Sequence, residues 1–151
     1  MADKRSHPAH GVLLVDGQPT ITFVTVCTKH RAPWLANDEV HSLLRKVWRD
    51  ANAWLLGRYV IMPDHVHFFA GWTGREIELD HWIQYWKSQF SKQFGHPECR
   101  WHTDHWDTRM RSVEAYEEKW VYVQNNPVRH GLVTRPEDWP FRGEIHRLRW
   151  E

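Results

Sequence analysis

Tyr59-Val60-Ile61-Met62-Pro63-Asp64-His65-Val66-His67-Phe68-Phe69-Ala70-Gly71 is the stretch that decides the fold. Two apolar runs rich in β-branched and aromatic residues flank a Pro-Asp pair, the composition of two antiparallel strands joined by a tight turn. Side chains alternate across a strand, so His65 and His67 share one face of the sheet. If a third group joins them, two imidazoles at that spacing make a metal or phosphate site. If none does, they are two hydrogen-bonded histidines at a strand edge.

Working outward, the segment before the hairpin carries Val40, Leu43, Leu44, Val47 and Trp48 at three-and-four spacing. That pattern predicts a helix from a cap at Asn37 or Asp38 to about Ala53. Ahead of it, Thr20 to Thr28 alternates Ile21, Phe23, Val24 and Val26 with threonines, a strand, and runs into the basic loop Lys29-His30-Arg31-Ala32-Pro33. After the hairpin, Leu79, Trp82, Ile83, Trp86, Phe90 and Phe94 form the stripe of a second helix, about Glu78 to Phe94. Its wet face presents Lys87, Ser88, Ser91 and Lys92, and Gly95-His96-Pro97 ends it. A short strand is expected near Trp106 to Met110, and a third helix from about Val113 to Asn125, stopped by Asn126-Pro127.

Residues 1–18 read as a basic arm and 128–151 as a basic tail without a clear period. The order β-α-β-β-α-β-α predicts an α+β fold with a ferredoxin-like antiparallel sheet and helices on one face. With 151 residues, a single domain over 1–151 is expected.

Composition narrows the setting. A net charge of +1 and a pI near 7.9 lack the cationic excess of a duplex binder, so any nucleic-acid contact must rest on local patches. Two cysteines, Cys27 and Cys99, and no secretory leader pattern point to a reducing, cytoplasmic setting. The apolar runs fall well short of the roughly 20 residues of a membrane helix. Eleven tryptophans are an excess, and we expect roughly two-thirds of them in the core, the minority left as platforms for stacked bases.

A third ligand and a nucleophile for the histidine pair can come from a helix. Tyr122 and Asn126 lie four apart, one turn from each other, so a phenol and an amide oxygen can face the same point. Oxygen and nitrogen ligands with open positions suit Mn²⁺ or Mg²⁺, which would act as a Lewis acid on a phosphate. Tyr85 and Gln89 on the second helix have the same spacing, and spacing alone leaves Tyr85 as an equal candidate for nucleophile. Either tyrosine can also be an ordinary half-buried helix residue. Cys99-x-x-His102-x-x-His105 has zinc-like residues but lacks a second separated pair. No Gly-rich phosphate loop, G-x-S-x-G elbow or His-Glu-x-x-His helix occurs.

Three ordered motifs carry a resemblance. Pro63-Asp64-His65-Val66-His67 resembles the His-hydrophobe-His motif of HUH endonucleases, in the form used by single-tyrosine transposases. Tyr122-Val123-Gln124-Asn125-Asn126-Pro127-Val128-Arg129-His130-Gly131-Leu132-Val133 resembles the Tyr-x₄-Pro-Val-x-x-Gly-Leu-Val stretch of the REP-associated tyrosine transposases, and Pro136-Glu137-Asp138-Trp139-Pro140-Phe141 the tryptophan-proline segment that follows it there. The likeness runs from the Thr20 strand to about Phe141. Arg142-Gly143 departs from it, standing where small hydroxyl residues are frequent.

The resemblance implies Tyr122 as nucleophile, His65 and His67 with Asn126 as ligands of Mg²⁺ or Mn²⁺, and Lys87, Lys92, Arg129 and His130 as DNA contacts. It favours Tyr122 over Tyr85. The implied activity is cleavage and rejoining of single-stranded or hairpin DNA at repetitive palindromes through a 5′-phosphotyrosine link, by a monomer with no obligatory protein partner. Two other readings of the same residues are a DNA-hairpin binding module without turnover and a metal-dependent phosphohydrolase that uses water.

Overall fold

The computed structural model describes residues 20–150 and the backbone of 14–15 and 18–19, so the expected basic arm lies almost wholly outside the described residues. In chain order the elements are β1 (Leu14–Val15), β2 (Gln18–Pro19), β3 (Ile21–Thr28), α1 (Asp38–Asp50), β4 (Trp54–Ile61), β5 (His65–Trp72), α2 (Leu79–Phe94), β6 (Trp101–Arg109), α3 (Val113–Gln124), α4 (Asn126–Arg129) and β7 (Arg142–Glu144). Among the described residues β1 pairs only with β2.

The main sheet has the order β6-β3-β5-β4-β7, every pair antiparallel. Taken over β3-α1-β4-β5-α2-β6, this is the split β-α-β arrangement of a ferredoxin-like fold, with β5 between the two strands that α1 connects. β7 is an addition. It closes the β4 edge, which would otherwise be left with unpaired backbone groups.

Local chemistry explains the boundaries. Asn37 caps α1, its side-chain oxygen accepting from the Val40 N–H at 3.0 Å. Ser112 caps α3 in the same way through the Ala115 N–H. Gly95 ends α2 in the left-handed region at φ +70, where a Cβ is disfavoured. β4 carries an irregularity between Leu56 and Tyr59 that resets its alternation, so Leu56, Tyr59 and Ile61 all enter one core. A Cβ on Gly57 would sit 2.7 Å from the Leu148 side chain, so the bare glycine admits the returning C-terminal segment.

The expectation of helices on one face holds for α1 and α2. Val40, Leu44, Val47 and Trp48 of α1 and Leu79, Trp82, Ile83, Trp86 and Phe90 of α2 pack against Val24, Val26, Val66 and Phe68 of the sheet. α3 crosses the opposite face, where Tyr116, Trp120 and Val123 meet Phe23, Val60 and Phe69. The hairpin strands are apolar on both faces, so a helix on each side is what buries them. The expected tail is ordered too: it supplies β7, buries Trp139, whose Nε1–H donates to the Ile61 carbonyl, and stacks Trp150 against Tyr116. Ten tryptophans are buried or packed against a core cluster, and Trp106 is the one left exposed. Among the described residues no helix is long and apolar enough to cross a membrane.

Candidate functional site

Register brings the site together on the α3 face. Cys27 stands opposite His65 and Thr25 opposite His67 across the β3–β5 pair. The two imidazoles point at each other, with His65 Nε2 3.1 Å from His67 Nε2. Each ring is held through its other nitrogen. His65 Nδ1–H donates to the Asp64 carboxylate at 2.7 Å, and His67 Nδ1 meets Thr25 Oγ1 at 2.9 Å. Partners of this kind fix the tautomer that leaves both Nε2 lone pairs directed at one point.

Electrostatics keep those lone pairs free of protons. Burial pushes the His67 imidazole down to about 3, reinforced by the charges of His65, Lys119, Arg129 and His130. His65 is also lowered by burial, with Asp64 opposing. Against the upward push of its own burial, hydrogen bonds from His65 and Arg31 hold the Asp64 carboxyl below its ordinary value. Arg31 Nε lies 3.1 Å from Asp64 Oδ2, and its Nη2 lies 3.4 Å from His65 Nδ1. The His65 nitrogen already donates to Asp64, so the Arg31–Asp64 pair is the bond that counts.

Asn126 completes the cluster from the far side. It is 7% exposed, with Nδ2 3.5 Å from His65 Nε2 and Oδ1 accepting from Arg129 Nη2 at 3.1 Å. α3 stops at Gln124, and a Pro127-containing turn, α4, restarts at Asn126. Tyr122 is exposed, and its ring stacks on the Arg129 guanidinium at 3.7 Å with Lys119 Nζ 5.5 Å from the ring centre. Arg129 also donates to the Tyr122 carbonyl at 2.8 Å, so one guanidinium ties the tyrosine to the asparagine. His130 Nδ1 donates to the Asn126 carbonyl at 3.0 Å.

The donor set fits a divalent ion. Two ligands about 2.1 Å from one ion and at right angles to it lie about 3.0 Å apart, close to the observed separation of the two Nε2 atoms. For the amide beside them to offer its oxygen it would turn over about its terminal bond, giving up the Arg129 hydrogen bond in exchange for the ion. A second group, Glu78, Asp80 and His81 at the start of α2, has ligand atoms within 4.8 Å of one another and could also hold a cation, but it lies at the surface on the helix layer. The zinc-like run does not gather: His102 and His105 fall on opposite faces of β6, and His105 pairs with buried Asp107 at 2.9 Å.

The other sequence-predicted residues divide. Tyr85 projects from α2, on the layer across the sheet from His65 and His67, into a hollow with Asp50, Asn52, Arg75 and His81. Lys92 lines a cavity of about 610 Å³ between α2 and the start of β6, whose walls include Lys87, His96 and Arg100 and no carboxylate. Lys87 is not on the wet face. It is 6% exposed because the start of β6 folds over it, and its ammonium donates to the His102 carbonyl at 2.8 Å. Sequence reasoning missed Thr25 and Arg31, and gave Asp64 no role. Same-face alternation from Phe23 through Thr25 to Cys27, set against His67, was the available signal for Thr25.

Lys87 yields a pH prediction. Burial lowers its amine from 10.5 to about 8, so between those values the unfolded chain binds more protons than the folded one and stability rises with pH. Below pH 8 both states are protonated and the full penalty, about 3 kcal/mol, applies. Urea midpoints should therefore climb from pH 8 to 10 relative to Lys87→Met, and a constant difference between the two proteins would refute the shift.

The comparisons agree with the fold and with the family resemblance. No protein-family model matches the chain. The REP-associated tyrosine transposase of Escherichia coli (strain K12) is 32% identical over 136 residues, covering 83% of this chain and 76% of that protein. A solved structure of a REP-associated tyrosine transposase bound to a REP hairpin superposes with a TM-score of 0.74 at 23% identity, covering 94% of this chain and 82% of that one. The fold is thus that of a transposase of the single-tyrosine kind. The chain belongs to the family of REP-associated tyrosine transposases.

Proposed function

We propose that this protein is a metal-dependent nuclease and strand transferase acting on single-stranded DNA at hairpins of repetitive palindromes. The observation that carries the reading is the convergence of His65 Nε2, His67 Nε2 and Asn126 beside a helix that presents Tyr122. The relative that shares the fold was solved on a REP hairpin, which supports the same class of DNA here.

In this reading the Tyr122 phenolic oxygen attacks a DNA phosphorus. The bond from phosphorus to the 3′-oxygen breaks, the phenolic proton leaves to solvent, and the departing 3′-oxygen takes up a proton from solvent. The products are a 5′-phosphotyrosine and a free 3′-hydroxyl, and attack by another 3′-hydroxyl reverses the step, returning the tyrosine. A Mg²⁺ or Mn²⁺ held by His65, His67 and Asn126 would polarise the phosphate. Lys119 and Arg129 lie against the Tyr122 ring, where their charges can offset that of the phosphate. Lys92, Arg129 and His130 are the proposed backbone contacts. Lys87, committed to the His102 carbonyl, supports the wall of the Lys92 cavity.

Incubating the protein with a hairpin oligonucleotide carrying single-stranded flanks should give a covalent adduct on a denaturing gel only when Mg²⁺ or Mn²⁺ is added. Mn²⁺ titration calorimetry should show a site that His67→Ala loses. An adduct unaffected by chelation would overturn the metal assignment. Product release without any adduct would favour hydrolysis by water. We propose a monomer of one domain, which light scattering tests.

A further inference from the structure

Of eleven tryptophans, only Trp106 stands largely in solvent, at 48% exposure, on the edge strand β6. In a chain that packs the other ten into its core, an exposed indole on a sheet edge is a liability unless it has a use. Its position is specific. Trp106 pairs with Thr25, and Thr25 pairs with His67, so the three side chains form one row on the site face. Two strand spacings separate Trp106 from His67, about 10 Å between their backbones.

The surroundings point to a nucleic-acid strand. His102 lies against Trp106 with ring centres 5.8 Å apart, making a two-ring shelf. At the start of β6 the shelf runs into a cavity of about 260 Å³ lined by Lys29, His30, Arg100, Trp101, His102 and Thr103, without a carboxylate. His30 and Arg31 are consecutive non-glycine residues at φ +58 and +55, a strained turn that holds the Lys29–Arg31 cations at this corner.

We propose that Trp106 is a stacking platform for an unpaired DNA base beside the His65–His67 site, with Lys29, Arg100 and the flanking histidines receiving the adjoining phosphates. The inference rests on the nuclease reading above and adds to it where the unpaired strand runs. An aromatic face takes any base, so the platform positions the strand without reading its sequence.

The test is equilibrium binding of labelled hairpins with and without a single-stranded flank, in a Tyr122→Phe background that prevents turnover. Trp106→Ala should weaken the flanked hairpin roughly 5- to 150-fold and leave the bare hairpin unchanged, and Trp106→Phe should restore most of the loss. Equal losses on both hairpins, or none on either, overturn the platform. If the protein with Tyr122 intact forms no adduct but the flank-selective loss is seen, the nuclease reading fails and the platform stands. If Trp106→Ala forms adduct at full rate and binds with full affinity, the reverse holds. Absence of any flank-dependent affinity in the unsubstituted protein refutes the platform, and adduct formation alone then decides the nuclease reading.

Discussion

Tyr122→Phe should abolish the covalent DNA adduct, while Tyr85→Phe should leave it intact. The first change removes the proposed attacking oxygen and nothing else. The phenyl ring still stacks on Arg129, and Arg129 still bonds the Tyr122 carbonyl and Asn126, because neither contact uses the hydroxyl. Tyr122 is 59% exposed, so stability should change by no more than about 0.5 kcal/mol. Adduct formation should fall by on the order of 10⁴-fold or more, as when a covalent nucleophile is deleted elsewhere. Tyr85 has the same spacing to an amide four residues on, but its helix lies in the layer across the sheet, so its hydroxyl cannot reach a phosphate at the histidines. The readout is a labelled oligonucleotide shifted on a denaturing gel. An adduct that survives Tyr122→Phe and disappears in Tyr85→Phe would reverse the assignment.

That pair of tyrosines marks how far the sequence could be read. The hairpin, the first two helices and the histidine pair follow from alternation and from three-and-four spacing, and the helices form within about three residues of their expected bounds. The choice between Tyr122 and Tyr85 depends on which face of the sheet each helix takes, and that is a tertiary decision. Both hairpin faces are apolar, so periodicity cannot say which side is covered by which helix. β6 runs from Trp101, well before its expected start, because an edge strand with His102, Asp104 and Asp107 among its side chains has no hydropathy pattern to announce it. β7 is Arg142-Gly143-Glu144, a strand made by backbone pairing with β4 alone. The inner residues of the candidate site were readable because a motif spells them. Their supports, Thr25 and Arg31, come from a neighbouring strand and a loop, and only register connects them to the histidines.

A large effect away from the chemistry is expected at Trp48. Its side chain has no exposure and sits at the crossing of α1, α2 and the sheet, with ring centres 5.1 Å from Tyr59, 5.6 Å from Trp86 and 6.0 Å from Phe68. Trp48→Ala removes those contacts and leaves a cavity that neighbouring rings, rigid and already in contact, cannot fill, so about 3–5 kcal/mol should be lost. Set against a total of roughly 5–15 kcal/mol, that is enough to leave a measurable unfolded fraction near physiological temperature. Trp48→Phe should behave differently. The Trp48 indole N–H is buried with no hydrogen-bond partner among the described residues, a standing cost of about 1–3 kcal/mol. Phenylalanine vacates part of the volume but also removes that donor, so the two terms oppose and the net loss should stay below about 2 kcal/mol. Urea unfolding of the three proteins, followed by far-ultraviolet circular dichroism with a common slope, separates these outcomes. If Trp48→Phe costs as much as Trp48→Ala, the N–H is satisfied and the core depends on a bond rather than on volume. If both cost under 1 kcal/mol, the helix layer does not pack on this ring and the arrangement of α1 over the sheet is refuted.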